Sequence, residues 1–306
     1  MINKLLINQQ HLASIALSEL YKPSEIARDG IFRSTQLADS DFPHALSFCA
    51  NRRYADIINK NPNISCVITT TDLVIYLKPR LGIVIAEDPE LEFYRRHNEL
   101  ARSLKRHIPL VGIHSSATIH PSAFISDRSF IGGNTCIGPG ARILGGVVIG
   151  ADCIIGPNVV IGSDGLEYKL SDDRLLKVIH VGGVIISDRV EIMANSVVAR
   201  DVFFGFTFIG KETKIGPLAN IGHRAKIGEK CRIAGNANIS GSVRIGNVVW
   251  LGPSSTISNG IAIGDRAYIS IGSVVVKDVK PGQRVSGFFA VEHKKALKLN
   301  SYTRLK

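Results

Sequence analysis

Aliphatic side chains recur every six residues along most of this chain. Eight isoleucines from Ile119 to Ile161 keep that interval without a slip, a second run reads Ile186, Ile192, Val198 and Phe204, and a third holds twelve positions from Ile209 to Val275. A period of six fits neither the 3.6 of a helix nor the simple alternation of a flat strand. It fits short strands joined by tight corners, where one aliphatic per side points inward and a small or glycine residue makes the turn. Small residues two positions earlier, such as Ser129 before Ile131, Ala141 before Ile143 and Ala219 before Ile221, share that inner face. Three sides close a coil of about 18 residues, and about 24 hexads then stack as about eight coils, a prism roughly 38 Å long at the usual inter-strand spacing.

Two interruptions break the rhythm. "GSDGLEYKLSDDRLLKVIHVGGV", between Ile161 and Ile186, places charges and an aromatic where aliphatics are required, so the segment around 163–180 is expected to project as a loop or hairpin. A one-residue slip between Phe204 and Ile209 marks a bulge or short corner. Ahead of the repeat, "HLASIALSEL" and "LEFYRRHNELARSLKRH" read as helices, and "ISCVITT", "LVIYL" and "LGIVIAE" as strands. The expected organisation is an α/β domain over 1–113, the β-prism over 114–285, and a tail over 286–306 with one short basic helix packed on the prism or on a partner chain.

Composition narrows the class without naming a function. The 45% hydrophobic content is globular, and the length of 306 residues allows two cores. No apolar run nears the roughly 20 residues of a membrane helix, and the polar first ten residues show no clear cleavage site, so the expected location is cytoplasmic. Five scattered cysteines with no CxxC read as reduced thiols. A formal charge of +11 favours an anionic partner, for which a phosphorylated small substrate, an acidic carrier protein and nucleic acid are all candidates.

Two places carry candidate chemistry. In "NIGHRAKIG", His223 stands two residues after an inward isoleucine, at a corner, and should face outward; Gly241 follows 18 residues later and should stack over it, one coil on. An imidazole and a bare backbone amide about 5 Å apart suit acyl transfer; a solvated corner histidine is the plain alternative. In "LSFCANRRYADII", Phe48, Asn51 and Tyr54 are spaced to line one helical face, where two aromatics could clamp a flat base and the amide read its edge, or simply form a core stripe.

These segments together, with "VGGVIISDRVEIMANSVV" and "NIGHRAKIGEKCRIAGNANISGS", resemble the UDP-3-O-acylglucosamine N-acyltransferases of lipid A synthesis, hexapeptide-repeat enzymes. The resemblance spans about Phe42 to Val275. It implies a mainly β fold, a left-handed parallel β-helix prism with an N-terminal α/β domain. It implies Phe48, Asn51 and Tyr54 as the nucleotide site, His223 as catalytic base and the Gly241 N–H as oxyanion donor. It further implies an acyl donor on coenzyme A or on the phosphopantetheine of acyl carrier protein, no permanently bound cofactor, and a homotrimer with sites between neighbouring prisms. Neither nucleic acid nor a membrane span belongs to that picture.

The chain departs from that family in several places. A second histidine two coils past the first is replaced by Asn259 and Gly260, the usual asparagine after the base is Arg224, an Asp-Arg-Gly stretch is reduced to Ala199–Asp201, and the C-terminal extension is short. These departures favour an N-acyltransferase for a nucleotide-linked amino sugar of a surface polysaccharide or lipopolysaccharide, with the lipid A reaction as alternative. His180 and Arg224 are candidate substrate contacts, the latter through phosphates. His97, His107, His114, His120 and His293 read as solvated, and His223 has no histidine partner of metal-site spacing, so no metal is expected. An O-acetyltransferase would keep the base without the nucleotide clamp, and a non-catalytic solenoid scaffold would need neither.

Overall fold

The computed structural model describes residues 12–103, 111–287 and 295. Apart from Lys295, the short C-terminal helix expected after Pro281 falls outside them.

The six-residue period winds into three parallel sheets of eight, eight and nine strands, the three faces of a β-helix. Each regular residue pairs with its equivalent one coil later, as Asn220 with Asn238, Lys226 with Arg244 and Arg232 with Trp250. The periodic aliphatics, among them Ile143, Ile221, Ile239 and Ile257, are fully buried in one continuous interior, and the small partners Ser129, Ala141 and Ala219 lie inside with them. Burying a side chain of this size is worth about 1.5–3 kcal/mol, so the repeat itself supplies the driving force.

Where glycine follows an aliphatic, as at Gly222, the reason differs from the one expected. A Cβ on Gly222 would stand 2.5 Å from the Ser240 carbonyl carbon of the next coil, so a close approach of stacked backbones excludes side chains there. The left-handed corner residue in this coil is instead Arg224, at φ 61°.

Both interruptions leave the coil. The first forms an antiparallel hairpin, Tyr168–Ser171 with Arg174–Lys177, after which the chain resumes with Val147 paired to Val184. The second is longer than the slip expected of it: Ile186 pairs with Ile209, which leaves Phe204 out of the repeat. The chain around Val202–Phe204 turns toward the N-terminal unit, where Phe203 joins a cluster with Phe93, Tyr94 and Phe32. An aromatic reads as an inward aliphatic in a pattern of apolar positions; its size is what the narrow interior refuses.

The N-terminal unit has a five-stranded sheet in the order 26–28, 82–85, 64–69, 45–49, 34–35, parallel except for the first pair. Helix α1 (Arg52–Lys60) starts at Asn51, whose side-chain oxygen accepts the Tyr54 N–H at 3.3 Å. Helix α2 (Pro89–Ser103) opens on proline, with the Asp88 carboxylate accepting the Leu91 N–H at 2.9 Å. Two assignments change here. "HLASIALSEL" yields, over its described residues, a two-residue strand (Ile15–Ala16) and a 3-10 turn (Leu17–Glu19), and "LVIYL" lies largely in a 3-10 turn (Thr71–Tyr76). Neither segment is long enough to hold its local propensity against packing.

Helix α2 joins the unit to the prism by gripping the first interruption. The Asn98 side chain donates to the Lys177 carbonyl and accepts the Ile179 N–H, each at 2.8 Å. His97, expected to be solvated, is fully buried. Its Nε2–H donates to the Ile179 carbonyl at 2.8 Å and its Nδ1 accepts from the Thr35 hydroxyl at 2.6 Å, which fixes a neutral ring. Burial pushes its pKa down to about 4.

Candidate active site

His223 sits at the corner the repeat assigns it, but the corner is covered. The His223 side chain is only 14% exposed, because the interruption at 163–180 folds back over it. The imidazole lies between two glycines. A Cβ on Gly241 would overlap the ring at Cε1 and Nε2, and one on Gly165 would stand 2.8 Å from its Cδ2. Gly241 is therefore stacked against His223 as the one-coil spacing predicts, and the Ser242 N–H donates to the His223 carbonyl at 2.8 Å to lock the two coils in register.

The interruption brings two further titratable groups to the ring. Glu167 Oε2 lies 3.5 Å from His223 Nε2, and the His180 ring meets the His223 ring edge-on with centroids 6.0 Å apart. His180 is buried and fully engaged: Nδ1–H donates to the Val178 carbonyl and Nε2 accepts the Gly165 N–H, both at 3.1 Å. It shapes the segment over the base, and both ring nitrogens already have partners within the chain. Burial lowers the His223 pKa below the ordinary histidine value; Glu167 opposes that shift, and the neighbouring His180, Arg224 and Lys169 add to it. Its Nδ1 is enclosed and has no hydrogen-bond partner among the described residues.

Arg224 has another employment than phosphate. Its guanidinium meets Asp39 Oδ1 at 2.5 Å and its N–H donates to the Thr207 hydroxyl at 2.8 Å, while Arg244 reaches Asp39 Oδ2 at 3.0 Å and Lys226 reaches Asp41 at 3.1 Å. Burial pushes the Asp39 carboxyl up, and the two arginines more than offset it and hold it below the usual carboxylate range. The residue after the base thus ties the N-terminal unit to the coil that bears the base.

Phe48, Asn51 and Tyr54 do not share a helical face. Phe48 is on the strand Ala45–Cys49, Asn51 is the helix cap, and Tyr54 is in the first turn of α1, 43% exposed. Phe48 is half-buried, its ring 5.1 Å from Phe93 and 6.1 Å from Tyr94. The strand-to-helix turn still sets the three residues in sequence around one bend, and because Asn51 caps the helix through its side-chain oxygen its NH2 group is left as a donor. Glu167 was the residue that sequence reading missed. Its one signal is a carboxylate inside an interruption that also ends on a histidine.

Comparison with known proteins agrees with the coil. The family described as bacterial transferase hexapeptide (six repeats) matches residues 128–163 and 206–241. Those two stretches of the prism carry that family's hexapeptide repeat. The matched stretches lie in the three-sided parallel β-helix. The chain is similar to the UDP-3-O-acylglucosamine N-acyltransferase of Wolinella succinogenes, 31% identical over 45% of this chain and 44% of the relative. It is likewise similar to that of Leptothrix cholodnii, 38% identical over 46% and 41%. The chain thus spans less than half the length of these curated relatives. A UDP-N-acetylglucosamine acyltransferase from Campylobacter jejuni superposes with a TM-score of 0.48 at 22% identity, over 63% of this chain and 83% of that one.

Proposed function

We propose that this chain is an acyltransferase that moves an acyl group from a thioester, on coenzyme A or on the phosphopantetheine of acyl carrier protein, to the amino group of a nucleotide-linked amino sugar. UDP-3-O-acylglucosamine is the acceptor with most support, since it is the one in the relatives' names. The observation that carries the reading is the imidazole of His223 stacked on Gly241 within one covered corner.

In this reading the amine attacks the thioester carbonyl and forms the C–N bond as neutral His223 takes its proton. Burial keeps that imidazole unprotonated at neutral pH, the state a base needs. The oxyanion of the tetrahedral intermediate accepts from the Gly241 N–H, which has no other partner among the described residues; such a donor is worth about 3 kcal/mol. Collapse breaks the C–S bond, and the leaving thiolate recovers the proton from the imidazolium. The N-terminal unit holds the nucleotide through Phe48, Asn51 and Tyr54, and the protein works as a cytoplasmic homotrimer with the sites between prisms. A second reading, with a different amino sugar bound for a surface polysaccharide, is favoured by the corner Asn259–Gly260, where the resemblance places a second histidine and this chain has none.

Thermal-shift titration with UDP- and dTDP-linked amino sugars tests the acceptor. Stabilisation by a UDP-amino sugar that is lost in Tyr54→Ala is expected; no shift with any nucleotide sugar sinks the assignment.

A further inference from the structure

The base does not stand alone in its corner, and the group beside it comes from the interruption and not from the repeat. Glu167 precedes the hairpin strand Tyr168–Ser171 and its carboxylate is 18% exposed. Lys169 Nζ holds its Oε1 at 3.0 Å. Lys169 in turn meets Glu90 of α2 at 3.0 Å and lies over the Tyr94 ring at 4.4 Å, so the N-terminal unit braces the carboxylate from behind. Its other oxygen faces His223 Nε2, and among the described residues no second carboxylate approaches the imidazole within ion-pair distance.

We propose that Glu167 is the positioning residue of the His223 base: it holds the proton on Nε2, turns the ring against Gly241, and offsets the positive charge that the imidazole acquires when it takes the amine proton. This rests on the reading of His223 as base. The remaining groups around the ring cannot replace it. His180 is held neutral by its two hydrogen bonds, Arg224 is committed to Asp39, and Lys169 has the sign of the imidazolium. With the proton on Nε2, the lone pair is on Nδ1, the nitrogen without a partner and the one enclosed by the chain. The acceptor amine therefore meets it only once the surrounding chain shifts. Gly165 follows from the same arrangement, because a side chain there would push the imidazole off Glu167.

The test pairs turnover with an NMR titration of the His223 ring in the full chain. Glu167→Gln should lower kcat roughly tenfold to a hundredfold, move the acid limb of the pH profile to lower pH, and move the His223 midpoint the same way, since the carboxylate is what opposes its fall. Glu167→Asp should restore part of both, which a merely structural side chain would not do. Circular dichroism confirms that each variant folds. A wild-type protein that acylates no amine sinks the functional reading before any variant is made. An active wild type whose Gln variant keeps its kcat, or whose His223 midpoint stays put, overturns the Glu167 role alone.

Discussion

The regular coils and the two interruptions differ in what they do with the same chain. In a regular coil every position repeats its equivalent 18 residues away, as in the Asn220–Asn238 and Asn236–Ser254 side-chain ladders, and the interior is one aliphatic stack. The spacing of such a coil does not by itself distinguish one corner from the next. The interruptions stretch that spacing to 37 and 23 residues, and their surplus carries Glu167, His180 and Phe203 onto neighbours the period does not predict. The repeat sets where His223 stands; the departures from it decide whether that corner is wet or enclosed, and charged or neutral.

Breaking each side of this comparison gives effects of different size and kind. Ile239→Ala removes a fully buried stave and should cost about 2–5 kcal/mol in urea unfolding. The interruption side shows itself in pH. His97 titrates near pH 4 folded against 6.5 as the ordinary value, so as pH falls the unfolded chain binds the proton first. Stability should be full above about pH 6.5 and fall by up to about 3 kcal/mol toward pH 4, and His97→Gln should flatten that slope in denaturation curves. Asp39→Ala strips buried Arg224 of its partner, but Asp39 is half exposed, so about 1 kcal/mol is expected from thermal unfolding. Lys226→Ala breaks only the more exposed pair with Asp41 and should change stability by less than about 0.5 kcal/mol.

What could be read from the chain follows the same division. Period and apolar character locate the staves, and the same spacing locates the inward small residues and the stacking of Gly241 on His223, because each contact repeats at a fixed interval. The pattern fails where spacing stops being the cause. Phe204 matches the phase and lies outside the coil, since apolar character was counted and volume was not. Phe48 and Tyr54 fit a helical face, yet Asn51 caps the helix between them. His97 sits among charges in sequence and is buried by contacts with Thr35 and Ile179, which are distant along the chain. The place of Glu167 beside His223 depends on how a hairpin folds back, and no local pattern encodes that.

The enclosed corner is tested most directly by single-turnover transfer of an acyl group from thioester to a UDP-linked amino sugar, with wild type and His223→Ala compared at saturating acceptor. The account predicts at least about a hundredfold slower transfer in the variant, with nucleotide-sugar binding and unfolding temperature unchanged. Transfer at the wild-type rate by His223→Ala would contradict it.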